Sequence, residues 1–250
     1  MADYLITFSP TGGTGRVAEL LSSAIADNRI FIDLLRPIEE ITLTADDVCL
    51  IAVPSFGGRI PTTSAERLQK IHANGARAVL VCVYGNRAYE DTLSELQDVL
   101  ESRGFRCIAA AAAVAEHSII REFGAGRPDA DDCAELAGFA EKIRERLADS
   151  TDRPLTLPGA HGTYKPYVNT PFVPAETDGC THCGTCAEAC PTNAIGAVPE
   201  EIDPERFIKC MRCEAVCPTG TRKMDEKITA VLRERLSAVC GTRKANELFL

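Results

Sequence analysis

The segment Tyr4-Leu-Ile-Thr-Phe-Ser-Pro-Thr-Gly-Gly-Thr14 decides the fold of the first half of the chain. Its apolar residues predict a buried strand over Tyr4–Phe8, and residues Arg16–Ala26 then carry apolar side chains at helical spacing. The loop between the strand and the helix offers three hydroxyl side chains and two glycines, namely Ser9, Thr11, Gly12, Gly13 and Thr14. Hydroxyls and the free N–H groups of a helix N-terminus form a cradle for a phosphate monoester without any cation.

Two other phosphate-binding motifs fit this loop less well. The Walker motif is excluded because no Gly-Lys-Ser/Thr sequence follows. A dinucleotide-binding fingerprint fits loosely, since Gly13, Gly15 and Ala18 have the required spacing and Asp33 lies near the expected ribose-binding acid. In that motif the glycines follow the strand directly, whereas Ser-Pro-Thr-Gly intervenes here. The sequence therefore favours a phosphate-monoester site.

Strand and helix patterns alternate through residue 150. Short apolar runs predict four further strands, at Ile30–Leu34, Val48–Val53, Ala78–Tyr84 and Phe105–Ala115. Segments with helical spacing or helix-terminus signals predict helices at Thr62–Ala73, Thr92–Arg103 and Asp129–Leu147. Five strands that are mostly separated by helices imply an α/β fold with a doubly wound parallel sheet. Residues 1–150 are therefore predicted to form one domain.

Two later loops follow strands at the edge where open α/β sheets bind ligands. The loop after the third predicted strand contains Pro54, Ser55, Phe56, Gly57 and Gly58. The loop after the fourth contains Tyr84, Gly85, Asn86 and Tyr89. Aromatic side chains, and glycines that allow close approach of the backbone, suit a flat ring as the ligand.

Cysteine is the most informative residue type, with 12 in the chain and seven of them between Cys180 and Cys217. No secretory signal is recognised, so we expect a cytoplasmic protein whose clustered cysteines hold metal rather than disulfides. The spacing Cys180-x2-Cys183-x2-Cys186-x3-Cys190-Pro191 matches the bacterial iron–sulfur run. Zinc is the alternative ligand, because Cys-x2-Cys pairs also form zinc sites, but zinc motifs do not need the third Cys and the Cys-Pro together.

The second cysteine run, Cys210-x2-Cys213-x3-Cys217-Pro218, lacks its first ligand, and Phe207 stands at that position. In two-cluster ferredoxins the fourth Cys of a run binds the other cluster. We therefore expect a 4Fe–4S cluster on Cys180, Cys183, Cys186 and Cys217. The second site then retains three thiolates, from Cys190, Cys210 and Cys213. It could hold a 3Fe–4S cluster, a 4Fe–4S cluster with a fourth ligand from water, Asp203, Glu205 or Cys240, or no cluster at all.

The domain organisation follows from these patterns. Residues 151–175 form a linker with five prolines, which favours an extended, semi-rigid chain. Residues 176–250 form a small cysteine-rich domain, closed by an amphipathic helix over Met224–Val239.

The loop Phe8-Ser-Pro-Thr-Gly-Gly-Thr14 resembles the phosphate loop of flavodoxins, Ser/Thr-x-Thr-Gly-x-Thr, and the two later loops occupy the places that bracket the isoalloxazine ring. From Tyr4 to the C-terminal Asn-Glu-Leu-Phe-Leu, the chain resembles the flavodoxin–ferredoxin fusion proteins of anaerobic bacteria and archaea. The resemblance implies a flavodoxin-like five-stranded FMN domain followed by a small ferredoxin-like domain. It also implies one 4Fe–4S cluster and a second 4Fe–4S or 3Fe–4S cluster, although the family normally has Cys where Phe207 stands.

The expected function is electron transfer between FMN and iron–sulfur clusters, with redox proteins as partners. No catalytic side chain is predicted, because the cofactors carry the chemistry. The net charge of −9 without a basic block argues against nucleic acid. The longest apolar run, Cys107–Ala115, has nine residues and is too short to span a membrane. The alternatives are a flavin-dependent reductase of a small substrate fed by its own clusters, and a flavin-free redox sensor or accessory subunit.

Overall fold

A computed structural model describes residues 2–151, 153–167, 172–196 and 201–250. Parts of the predicted linker, residues 152 and 168–171, therefore lie outside the described residues. The strands are β1 (Asp3–Thr7), β2 (Ile30–Asp33), β3 (Ile41–Thr42), β4 (Val48–Pro54), β5 (Ile71–His72), β6 (Arg77–Tyr84), β7 (Arg106–Val114), β8 (Ala175–Glu176), β9 (Arg222–Lys223) and β10 (Glu247–Phe249). The α-helices are α1 (Gly13–Leu21), α2 (Thr62–Leu68), α3 (Thr92–Ser102), α4 (Ala130–Ala148), α5 (Thr185–Glu188), α6 (Arg212–Ala215) and α7 (Glu226–Cys240). A short 3-10 helix, Ser22–Ala24, extends α1.

The main sheet has the strand order β10-β7-β6-β4-β1-β2. In this sheet the strands β7, β6, β4, β1 and β2 are parallel to one another. Strand β10 pairs with β7 in the antiparallel direction. Among the parallel strands the order is second, first, third, fourth, fifth, which is the doubly wound flavodoxin-like order. The predicted fold is therefore confirmed, with one additional strand at the C-terminus.

Helices cover both faces of this sheet, which explains the continuous apolar runs of its central strands. Along β4, Cys49, Ile51 and Val53 pack on the side of α2 and α3. Leu50 and Ala52 point to the opposite side and pack against α1 and α4. Because successive side chains of a strand point to opposite faces, both sets of residues are buried at once. Among the described residues, no helix is both long and apolar enough to cross a membrane.

The helix predicted over Thr62–Ala73 ends earlier, at Leu68. Ile71 and His72 instead form β5, which pairs in parallel with β3. The Ile71 side chain is fully buried in the main core. The burial of a β-branched residue and its strand pairing outweigh the helical spacing that the sequence shows.

The C-terminal residues return to the first domain and form what we call the C-terminal strap, residues 242–249. Its strand β10 completes the sheet beside β7. Lys244 O accepts a hydrogen bond from Arg127 Nη1 at 2.8 Å, and Ala245 O accepts one from Tyr84 Oη at 2.9 Å. Arg243 forms an ion pair with Asp129 at 2.6 Å. The division into segments 1–150, 151–175 and 176–250 stays a prediction, and in the structure the strap packs on the sheet of the first segment.

Asn246 is the buried polar centre of the strap, and its truncation should destabilise the protein. Its Oδ1 accepts the N–H of Val114 at 2.9 Å, and its Nδ2 donates to Asp132 Oδ1 at 3.0 Å. Asn246→Ala removes the acceptor of the buried Val114 N–H and one of the donors to Asp132, so we expect the free energy of unfolding to fall by about 1–3 kcal/mol. Urea unfolding measures this loss. Asn28→Ala, at an exposed position, is the control and should change little; equal stabilities of the two variants would contradict the prediction.

Candidate functional site

The loop Ser9–Thr14 connects β1 to α1 with a backbone suited to an anion. Gly12 precedes the helix with a φ of 93°, a left-handed conformation that favours glycine, and it has no side chain that could cap the helix. Ser9 Oγ accepts the N–H of Gly15 at 2.8 Å, which holds the loop closed. Thr14 is buried in the first turn. The uncapped N–H groups and the hydroxyls of this loop fit a phosphate group.

The cysteine-rich part brings a cation to this loop, which the sequence analysis did not foresee. Arg212, the first residue of α6, donates from Nη1 to Pro10 O at 3.1 Å. Its Nε is buried and has no hydrogen-bond partner among the described residues. The loop was predicted to bind phosphate without a cation, because Arg212 is 202 residues away in sequence and only the tertiary fold brings the two together.

The loop after β4, Pro54–Gly58, is held by the segment predicted as the linker. Phe56 and Arg59 pair through their backbones, so the glycines between them form the tip of a tight turn. The Arg59 guanidinium donates to Glu95 and lies over the rings of Tyr164 and Tyr167, at 4.8 and 4.4 Å from the ring centroids. Cation–π contacts of this kind fix the linker against the loop.

The loop after β6 is engaged by the C-terminal part of the chain. Asn86 Nδ2 donates to Cys240 O at 2.7 Å and to Thr242 O at 2.9 Å. Tyr84 is buried below the strap, and this burial raises the pKa of its hydroxyl to about 12. Tyr89 Oη donates to Glu247 Oε2 at 3.0 Å. The polar groups of these three side chains therefore have protein partners, and a ring-binding role for this loop stays a prediction.

His117 lies beside the same loop and is held in its neutral form. Its Nδ1 accepts the N–H groups of Ile119 at 3.2 Å and Ile120 at 3.0 Å. Burial, together with the charge of Arg87, lowers the pKa of His117 to about 4. A side chain on Gly85 would collide with His117, since a Cβ there would lie 2.7 Å from its Cδ2. The glycine therefore permits close packing of the two loops.

Four cysteines line one pocket in the cysteine-rich part. They are the residues predicted to bind the first cluster: Cys180, Cys183, Cys186 and Cys217. Cys217 is far from the other three in sequence, so the fold itself produces the crossed arrangement of two-cluster ferredoxins. Threonine hydroxyls lie close to the sulfurs, with Thr185 Oγ1 3.3 Å from Cys183 Sγ and Thr219 Oγ1 3.5 Å from Cys217 Sγ.

Hydrogen-bond donors around this pocket favour thiolates, the form that binds iron. Burial alone would raise the pKa of Cys217, but donation from Thr219, Thr221 and the Arg222 N–H outweighs it and lowers that pKa to about 6. The side chain and backbone of Thr185 lower the pKa of Cys183 in the same way. The donor set of the first site therefore suits an iron–sulfur cluster.

The second cysteine set lies in an apolar environment. Cys210 and Cys213 are buried, and Cys190 packs in the same region with Phe207 and Met211. Burial raises the pKa of the Cys210 thiol to about 12. Phe207 is only 8% exposed, so its ring fills apolar space in the place of the missing ligand.

The three alternatives for a fourth side-chain ligand at the second site have different surroundings. Cys240 ends α7, whereas Ile228, near the start of that helix, packs beside the second set. Twelve helical residues separate the two by about 18 Å. Asp203 is exposed and accepts the Glu205 N–H at 2.9 Å, and Glu205 is exposed as well. The identity of a fourth ligand at the second site therefore stays a prediction.

Several contacts join the second set to the flavodoxin-like part. Pro191, directly after Cys190, accepts a hydrogen bond from Arg67 at 2.5 Å. Arg212, directly before Cys213, donates to the phosphate loop. Ile119, from the segment after β7, packs against the apolar cluster around the second set. In the first set, by contrast, Cys183 is exposed. The cysteine-rich part therefore has an inner and an outer site.

Comparisons with known proteins agree with this architecture. Residues 179–221 match the family described as "4Fe-4S dicluster domain". A ferredoxin of Chlorobaculum thiosulfatiphilum is 44% identical over 50 residues, which cover 17% of this chain and 82% of that protein. A Streptococcus pneumoniae TIGR4 flavodoxin is 18% identical, covering 58% of this chain and 99% of its own, with a TM-score of 0.40. A Fusobacterium nucleatum flavodoxin bound to flavin mononucleotide is 13% identical, covering 58% and 98%, with a TM-score of 0.40. The fold assignment rests on the strand order rather than on these modest structural similarities.

A parallel sheet with the flavodoxin strand order, joined to a 4Fe–4S domain of the ferredoxin family, defines a redox protein with a role in electron transfer. The cysteine-rich part belongs to the ferredoxin family, and the sheet before it has the flavodoxin-like strand order.

Proposed function

We propose that the protein is an electron carrier in which electrons pass between FMN and the iron–sulfur clusters. One observation carries this proposal: the inner cysteine set lies against the phosphate loop. Arg212, the neighbour of Cys213, contacts Pro10 in that loop at 3.1 Å. The two cofactor sites would then lie near each other within one chain, which would keep each at a high effective concentration for the other.

The flavin site of this proposal lies at the carboxyl ends of the sheet strands. The phosphate would be held by Ser9, Thr11, Gly12, Gly13 and Thr14. The ring would lie between the loops of residues 54–58 and 84–89. The polar groups of Tyr84, Asn86 and Tyr89 have protein partners, so these residues would offer the ring mainly backbone and aromatic surface.

The two iron–sulfur sites would follow one another along the path of the electrons. The outer site, on Cys180, Cys183, Cys186 and Cys217, opens to solvent and would exchange electrons with redox partner proteins. The inner site, on Cys190, Cys210 and Cys213, would lie between the outer site and the flavin. When bound, FMN exchanges two electrons or one, and each cluster exchanges one. Phe207 and Met211 form a buried apolar cluster, and both Cys190 of the inner site and Ile119 pack against it.

Anaerobic purification tests the proposal directly. The absorption spectrum and the FMN, iron and sulfide content should show flavin and clusters in one protein. Stopped-flow reduction by a reduced ferredoxin should bleach the cluster absorbance before that of the flavin. A spectrum without flavin would favour a redox sensor or accessory subunit. Rapid turnover of a small organic substrate, without exchange with ferredoxin, would favour a reductase.

Thr14→Val tests the phosphate loop. Valine keeps the shape of the buried side chain but removes the hydroxyl, which is expected to donate to a charged phosphate. The loss of such a hydrogen bond should weaken FMN binding by about 1–3 kcal/mol. Flavin fluorescence quenching measures the dissociation constant. Thr42→Val, an exposed strand position, is the control. Equal affinity of the Thr14→Val variant and the wild type would show that the phosphate lies elsewhere.

A further inference from the structure

Arg212 belongs to the cysteine-rich part but reaches the phosphate loop of the other part. Its Nη1 donates to Pro10 O at 3.1 Å, two residues before Gly12. Gly12 directly precedes α1 and has no side chain to cap it, and in the first turn Ser9 Oγ accepts only the N–H of Gly15 among the described contacts. The guanidinium therefore adjoins a loop in which uncapped N–H groups and hydroxyls are brought together.

The contact with Pro10 leaves part of the guanidinium unused. Arg212 Nε is buried without a hydrogen-bond partner. Among the described residues, no carboxylate forms an ion pair with Arg212, whereas Arg59, Arg127 and Arg243 each have one. A buried donor without a partner is costly, and an arginine fork matches the oxygens of a phosphate.

We propose that Arg212 is a ligand of the FMN phosphate, so that the cysteine-rich part completes the flavin site. This inference rests on the proposed function, because it requires that the loop binds FMN. The chain has a net charge of −9, which disfavours an incoming phosphate dianion, and a cation at the loop offsets this repulsion locally. FMN affinity would then depend on the integrity of the inner cysteine site, since α6 carries both Arg212 and Cys213.

A purely structural role makes a different prediction. If Arg212 only docks the two parts through Pro10 O, its loss would affect every flavin equally. If it binds the phosphate, its loss would affect FMN but not riboflavin, which has the same ring without a phosphate.

The test uses the full-length, cluster-loaded protein from which FMN has been removed. Dissociation constants for FMN and for riboflavin are measured by fluorescence quenching in the wild type and in Arg212→Gln. We expect the FMN constant to rise about 10- to 100-fold, as for loss of a hydrogen bond to a charged group, and the riboflavin constant to change less than about twofold. Arg212→Lys keeps the positive charge but lacks the planar guanidinium. Its dissociation constant for FMN should therefore lie between those of the wild type and Arg212→Gln.

Arg233→Gln is the matched control. Arg233 lies on α7 and also bridges the two parts, through an ion pair with Glu122 at 2.5 Å, but it does not touch the phosphate loop. The Arg233→Gln variant should bind FMN and riboflavin with the same dissociation constants as the wild type. Iron content is measured in every sample. If Arg212→Gln does not retain its iron, the FMN and riboflavin dissociation constants of Arg212→Lys decide the test instead.

Two results would overturn the assignment while leaving the proposed function intact. They are an equal loss of affinity for FMN and riboflavin, and no loss for either. A wild-type protein that binds neither flavin would refute the proposed function and this inference together.

Discussion

Cys217→Ala is expected to remove the outer cluster completely, although Cys217 is far from the other three ligands in sequence. The four cysteines line one pocket, and Cys217 supplies the thiolate that closes it. Its surroundings favour the thiolate, because donors from Thr219 and Thr221 lower the pKa of this residue to about 6. Alanine provides no ligand, so the anaerobically purified variant should lose about four irons, the content of one 4Fe–4S cluster.

Cys133→Ala is the control for this experiment, because Cys133 lies on α4, outside both cysteine sets. Iron and sulfide analysis, together with electron paramagnetic resonance of the reduced protein, should distinguish the two variants. An outer cluster that survives in Cys217→Ala with unchanged iron content would show that the crossed ligation does not hold. Loss of both clusters would indicate instead that the outer site supports the inner one.

The sequence predicts the sheet well because its signals are local. Strands β4 and β6 are continuous apolar runs that need two covered faces, and this pattern alone indicates a parallel sheet between helices. The crossed cysteine pairing is likewise encoded in spacing, since Cys-Pro marks the fourth position of each run. The structure places these residues in the expected elements and brings Cys217 to Cys180, Cys183 and Cys186.

The features that the sequence does not predict are all long-range. Nothing near Glu247–Phe249 indicates which strand it joins, and its pairing with β7 depends on the buried hydrogen bonds of Asn246. The role of Asn86 is hidden for the same reason, because its partners lie more than 150 residues away, at Cys240 and Thr242. Arg212 reaches Pro10 only in the folded protein. A turn motif in the sequence predicts the local backbone conformation, but it does not predict which distant residues will contact the turn.

Phe207→Cys is expected to complete the inner site. In the wild type this site has three cysteines, and the ring of Phe207 is only 8% exposed, among Met211, Met224 and Ala194. With three thiolates, the expected occupant is a 3Fe–4S cluster or a 4Fe–4S cluster with one labile iron. The wild type should then contain about seven irons, or show a three-iron signal in electron paramagnetic resonance after oxidation.

The added thiolate has two measurable consequences. It should raise the iron content to about eight and abolish the three-iron signal, because the site then has four ligands. It also adds one negative charge to the ligand shell, which should lower the reduction potential of the inner cluster, since net charge is a main determinant of that potential. Redox titration followed by electron paramagnetic resonance measures both changes.

Phe207→Ala separates ligation from packing. Removing the buried ring in either variant leaves a cavity, at a cost of about 3–5 kcal/mol for a substitution of Phe by Ala. Only the cysteine variant also gains a ligand. The alanine variant should therefore be less stable than the wild type, and its iron content should not rise to about eight irons. If the wild type already holds eight tightly bound irons and shows no three-iron signal, the incomplete-site hypothesis is wrong. The missing ligand would then be a solvent molecule, Cys240 or an acidic side chain such as Asp203 or Glu205.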